Sequence, residues 1–87
     1  MPKTIFTGAN QIVVEAIKEA RAACGLTQDE LAVRLGRDQS HISLIEGSQR
    51  RLDVVEFHRL ATALDVDPVE LFRTISERLA KAGRSLL

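Results

Sequence analysis

The chain contains no tryptophan and no tyrosine, and only three phenylalanines. A core with so few large rings has to be built from Leu, Ile, Val and Ala, which suits closely packed helices. There is a single cysteine, Cys24, so no intramolecular disulfide can form, and a reducing, cytoplasmic setting is expected. Charge of one sign is not in excess: 12 Lys and Arg stand against 12 Asp and Glu. A strongly basic balance would by itself signal nucleic acid. Its absence means that any such contact must come from a local patch. No apolar run approaches the ~20 residues needed to span a bilayer, so no membrane partner is expected. The opening MPKTIFTGAN has no apolar core of the signal-peptide kind. His41, His58 and Cys24 share no metal-ligand spacing, and there is no phosphate-cradling glycine loop and no nucleophile motif. The expectation is a chain that is not an enzyme and carries neither metal nor cofactor.

What is present fits one small domain. The 87 residues are 45% hydrophobic and 28% charged, a globular rather than a disordered composition. No linker or repeat divides them, so residues 1–87 read as a single domain with a core over about 10–80, an N-terminal arm and a C-terminal tail. Lys3–Phe6 is a candidate short extended arm. The punctuation predicts five helices and no sustained strand pattern, an all-α fold. Thr7 or Asn10 is the candidate cap of the first, whose apolar face is Val13, Ala16, Ile17, Ala20 and Cys24, with Gly25 as its stop. Thr27 and Glu30 form a capping box that opens the second. Asp38 is the expected N-cap of the third, which ends near Glu46. Asp53, with Glu56 three residues on, opens the fourth, whose inner face is Phe57, Leu60, Ala61 and Leu64. Asp67 and Pro68 open the fifth, which carries Leu71, Phe72, Ile75 and Leu79 and is expected to fray through Lys81–Gly83.

The segment QDELAVRLGRDQSHISLIE, Gln28–Glu46, is the most informative. Leu31, Ala32 and Leu35 share one face of a short helix, Gly36 breaks it, and Ile42 and Ile45 seat a second. Neither helix is long enough to be stable alone. They must lock together, which leaves the polar face of the second projecting, a shape that a DNA major groove accepts. On that face lie Gln39, Ser40, Ser43 and Leu44. Gln39 can pair in bidentate fashion with adenine, the serines can reach a base edge or a phosphate, and Leu44 can pack on a thymine methyl. His41 is a candidate phosphate donor, or equally an exposed surface histidine. Arg37, at the turn, is a candidate phosphate ligand, whereas Arg34 reads as an ordinary exposed charge.

The wider stretch LTQDELAVRLGRDQSHISLIEGSQRRLDVVEFHRLATALDVDPVELF resembles the Cro/repressor-type (XRE) helix-turn-helix family. The resemblance runs from about Ala16 to Phe72 and points to a small single-domain bacterial or mobile-element regulator. It implies that Gln28 grips a DNA phosphate and that Arg50 and Arg51 touch the backbone after helix 3. It implies further that Arg21 and Glu46 form an ion pair orienting that helix. Four features depart from the family pattern. Arg37 stands where an apolar residue is usual, Asp38 where Ser, Thr or Pro is common, and Leu44 where Lys or Arg is common. Glu46-Gly47-Ser48 replaces Glu-Arg-Gly. The last three lower the positive charge expected near the groove.

Phe72 and Leu79, with Leu86 and Leu87 beyond, exceed what one small core needs. They read either as a dimer interface or as a longer core helix, and the family habit of binding two-fold operators points to the dimer. The expected function is a sequence-specific regulator of transcription, a repressor binding double-stranded DNA as a homodimer. Its two recognition helices would sit ~34 Å apart on a pseudo-palindromic site. The alternative is a protein-interaction module on the same fold, an antitoxin or an antagonist of another regulator.

Overall fold

Five helices follow one another with short connections. In the computed structural model, which describes residues 8–86, they are α1 Ala9–Cys24, α2 Gln28–Leu35, α3 Gln39–Glu46, α4 Val54–Ala63 and α5 Pro68–Leu86. There is no strand among the described residues. Thr7 and the Lys3–Phe6 stretch lie outside them, as do Leu87 and the side chain of Leu86.

Local chemistry sets most boundaries. Thr27 and Glu30 exchange side-chain and backbone bonds at the start of α2, and Asp53 and Glu56 do the same at the start of α4. The Asp67 carboxylate accepts from the Val69 N–H beside Pro68, which occupies the first helical position of α5. Gly25 and Gly36 end α1 and α2 at φ 78° and 67°, a left-handed backbone that a side chain would strain. Asp38 stands at the N-cap of α3 in extended backbone, but its carboxylate accepts no capping bond.

Two expectations need correction. Asn10 does not cap α1. It lies inside the first turn, Gly8 holds the cap position, and the Asn10 amide is engaged elsewhere, with Ser48. Nor does α5 fray at Lys81–Gly83, since helical backbone continues to Leu86. Arg78 pairs with Glu19 of α1 and Leu79 packs on the core, which hold the turn before it in place. Lys81 and Ala82 favour helix, and one interior glycine costs only about 1 kcal/mol.

The core has two connected parts. Ile17 of α1, Leu31 and Ala32 of α2, Ile42 of α3 and Leu60 and Leu64 of α4 form the first. Ala16, Ala61, Leu71 and Ile75 form the second, with Phe57 and Leu79 against it. α1 therefore buries a wide arc that includes Val14, which a narrow stripe at three- and four-residue spacing misses. Cys24, at the end of that stripe, is only half-buried. Leu31 and Ile42, both without meaningful exposure, lock α2 to α3. Truncating either to alanine would cost about 2–5 kcal/mol and loosen the angle at which α3 projects.

Candidate nucleic-acid interface

Ile42, Ile45 and Glu46 turn inward from α3, and Gln39, Ser40, Ser43 and Leu44 turn outward. The projecting face thus bears two hydroxyls, one amide and one partly exposed leucine, with no formal charge. His41 lies on neither face. Its side chain is 19% exposed and its Nε2 is 3.8 Å from Glu56 Oε2, so it looks along the α3–α4 seam.

One flank of α3 is a chain of side-chain bonds. Arg21 of α1 holds Glu46 through Nε at 2.6 Å and Nη2 at 2.8 Å, and its Nη1 donates to the Leu26 carbonyl at 3.0 Å. Gln28 Nε2 donates to the same carboxylate at 2.9 Å. Gln39 Nε2 then donates to Gln28 Oε1 at 2.5 Å. The polarity of this chain is forced. An ionised carboxylate only accepts, so Gln28 must offer its NH₂ to Glu46 and its carbonyl oxygen to Gln39. Gln39 is left with one free N–H and its carbonyl oxygen, the donor–acceptor pair that matches adenine N7 and N6. Burial works to raise the Glu46 carboxyl, but the hydrogen bonds from Arg21 and Gln28 outweigh it and hold it below the ordinary carboxylate range. Gln28 is therefore half-buried and doubly bonded, rather than a free amide at the start of α2.

The loop after α3 is fixed by a contact that sequence reasoning missed. Ser48 is buried and adopts φ 60°, where the family pattern carries glycine. Asn10 Nδ2 donates to its Oγ at 2.7 Å, tying the start of α1 to the end of α3. The residues that follow carry the arginine pair. Arg50 binds Glu56 through both terminal nitrogens, at 2.9 and 2.7 Å, and also donates to the Arg51 carbonyl. This bond, first among several causes, holds the Glu56 carboxyl below its ordinary range. Arg51 and Arg37 are exposed, on the same side of α3 as His41 in the case of Arg37. Arg34, read as an ordinary charge, instead donates to the Ala63 carbonyl at 2.7 Å and pairs with Asp65, joining α2 to the end of α4.

A second surface is apolar. A groove of about 520 Å³ runs between α1, α4 and α5, floored by Val13, Leu52, Phe57 and Ile75. Val54, Val69 and Phe72 stand at its rim, 85%, 65% and 55% exposed. The Phe57 and Phe72 rings meet edge to face at 6.2 Å. Leu79, expected alongside Phe72, is half-buried against the core.

Residues 13–73 match the family model described as a helix-turn-helix domain. An uncharacterized HTH-type transcriptional regulator, y4dJ, of Sinorhizobium fredii (strain NBRC 101917 / NGR234) is 40% identical over 53 residues, 61% of this chain and 69% of that protein. Among solved structures, an XRE-family like protein from Pseudomonas syringae pv. tomato str. DC3000 superposes with a TM-score of 0.76 at 41% identity. The match covers 80% of this chain and 85% of that one. The restriction-modification controller protein C.Esp1396I, solved as a tetramer with its natural 35-base-pair operator, superposes with a TM-score of 0.77 at 27% identity, over 86% and 99% of the two chains.

Proposed function

The chain belongs to the helix-turn-helix family of the XRE type, and from that membership we propose that it is a sequence-specific, double-stranded-DNA-binding regulator of transcription. Its setting is the cytoplasm, and it acts as a homodimeric repressor on a pseudo-palindromic operator. The observation that carries this reading is the bonded chain Arg21–Glu46–Gln28–Gln39. It presets one amide on the uncharged, projecting face of α3 for a base edge. Such an arrangement has no use in a merely solvated helix.

In this reading α3 enters the major groove, with Gln39, Ser40, Ser43 and Leu44 toward the bases. Gln28 lies at the start of α2, where backbone N–H groups face outward, and contacts a phosphate on one flank. Arg37, Arg50 and Arg51, with His41 beside them, serve the other. The homodimer forms through the apolar groove. Projecting Val54, Val69 and Phe72 share one face with the depression beside them, so a two-fold axis sets each copy's rim into the other's groove. Transcriptional regulation by a relative and operator binding by an oligomeric controller protein support the same direction.

A salt titration tests the proposal. Several phosphate contacts predict that log K falls with log salt at a slope of several units, about 0.9 for each contact. A protection footprint on the DNA upstream of its own gene should show two half-sites about one helical turn apart. No binding to any genomic DNA at low salt, with a tight protein partner recovered instead, would establish the interaction-module alternative.

A further inference from the structure

The flank of α3 opposite Gln28 is arranged around one carboxylate. Glu56 Oε1 accepts from Arg50 Nη1 and from the Asp53 N–H, and Oε2 accepts from Arg50 Nη2. His41 Nε2 faces Oε2 at 3.8 Å, and Arg37 and Arg59 line the same small cleft. Arg50 therefore holds this anion and His41 faces it, with Arg37 and Arg59 in the same cleft, on the side of α3 where the proposed reading places a DNA strand. Capping does not require that anion, because a neutral glutamine at the third helical position also closes a capping box.

What Glu56 offers Arg50 is what a phosphate offers. Both present two oxygens at the spacing of the guanidinium fork, and both take a bidentate, charge-assisted pair. Arg50 cannot grip both at once through the same two nitrogens. We propose that Glu56 is an intramolecular competitor for the DNA backbone: it holds Arg50 in the free protein and yields it to a phosphate on binding, with His41 the neighbour that then faces the carboxylate. This rests on the DNA-binding reading above. The pair sits at a half-exposed position, 38% for Arg50, so the exchange needs only side-chain rotation and leaves the loop backbone in place. The device sets affinity below what the arginine count alone would give, at every sequence alike.

The test uses the whole chain and a mixed-sequence DNA duplex about three helical turns long, with affinity measured against salt. Glu56→Gln keeps the cap and releases Arg50, so it is expected to bind several-fold more tightly with the salt slope unchanged. Arg50→Ala is expected to flatten the slope by about 0.9. In Arg50→Ala the Glu56→Gln gain should disappear, because nothing is left to release. A gain that persists undiminished without Arg50 reflects simple repulsion between Glu56 and DNA and overturns the proposal. So does Glu56→Gln binding no better than wild type while melting at the same temperature. Wild-type protein that binds no duplex at low salt removes the DNA-binding reading itself, and this proposal with it.

Discussion

Gln39 reaches back across the helix-turn-helix to donate its side-chain amide to the carbonyl oxygen of Gln28, at 2.5 Å. The two residues are eleven apart in sequence and on different helices. Their bond gives a flexible side chain a fixed direction and a fixed choice of donor and acceptor. If Gln39 reads a base as proposed, the loss of side-chain freedom that binding usually entails is partly made beforehand.

Base preference should therefore depend on both glutamines. Gln39→Ala is expected to lose about 1–3 kcal/mol of discrimination at one base pair. Gln28→Ala should relax preference at that same position although it touches no base, because Gln39 is then free to turn. Competition among single-base variants of the selected site measures both. Unchanged preference in Gln39→Ala means the register assigned to α3 is wrong.

Acid should weaken the fold through Glu46. Its carboxyl titrates below the ordinary value of 4.5, so the stabilisation is complete above that value and is lost as pH falls through the lowered one. Glu46→Gln retains shape but loses the charge-assisted bonds to Arg21, for a cost of about 2 kcal/mol at neutral pH. The gap between variant and wild type should narrow below the ordinary carboxylate value. Urea unfolding at a series of pH values reads it directly, and a constant gap contradicts the assignment.

Ser48 combines a left-handed backbone with a buried hydroxyl bond from Asn10. Ser48→Ala keeps the strain and strands the Asn10 amide, and should destabilise by about 1–2 kcal/mol. Ser48→Gly relieves the strain while losing the same bond, and should lie close to wild type. Thermal melts of the two, with Asn10→Ala as the third corner, separate backbone from hydrogen bond.

Phe72→Glu places a charge at the rim of the apolar groove without touching the outward face of α3. Sedimentation equilibrium should show a shift from dimer to monomer, and operator binding should weaken while the salt slope per protomer holds. A wild-type chain that is monomeric at micromolar concentration and on DNA removes the dimer.

Much of this architecture was legible in the chain. Capping boxes, stop glycines and helical spacing mark five helices because each is a local signal, readable within four or five residues. The outward face of α3 follows from where Ile42 and Ile45 must point. Apart from Arg21–Glu46, which the family resemblance supplied, long-range polar pairing was not legible. Asn10 and Ser48 are 38 apart, Arg34 and Asp65 31 apart, and nothing local distinguishes them from exposed residues. Glu56 was readable as a helix cap, yet its larger involvement, with Arg50 and His41, depends on how the α3–α4 loop folds back. The apolar rim was half visible: Phe72 projects, but Leu79, about two turns further along α5, packs half-buried on the core, while Val54 and Val69 carried no periodic signal outside the core pattern.

In the proposed reading, the neutral outward face of α3 separates two quantities that are often entangled. The one carboxylate of α3, Glu46, turns inward and is matched by Arg21, and no formal charge stands on the helix's outward face. If the proposed DNA-binding reading holds, counterions leave the DNA because of Arg37, Arg50 and Arg51, which would follow the strands and not the bases. Ionic strength should then shift occupancy of correct and incorrect sites by the same factor. The ratio between them, and with it the choice of gene, should stay constant across growth conditions that change the cell's salt.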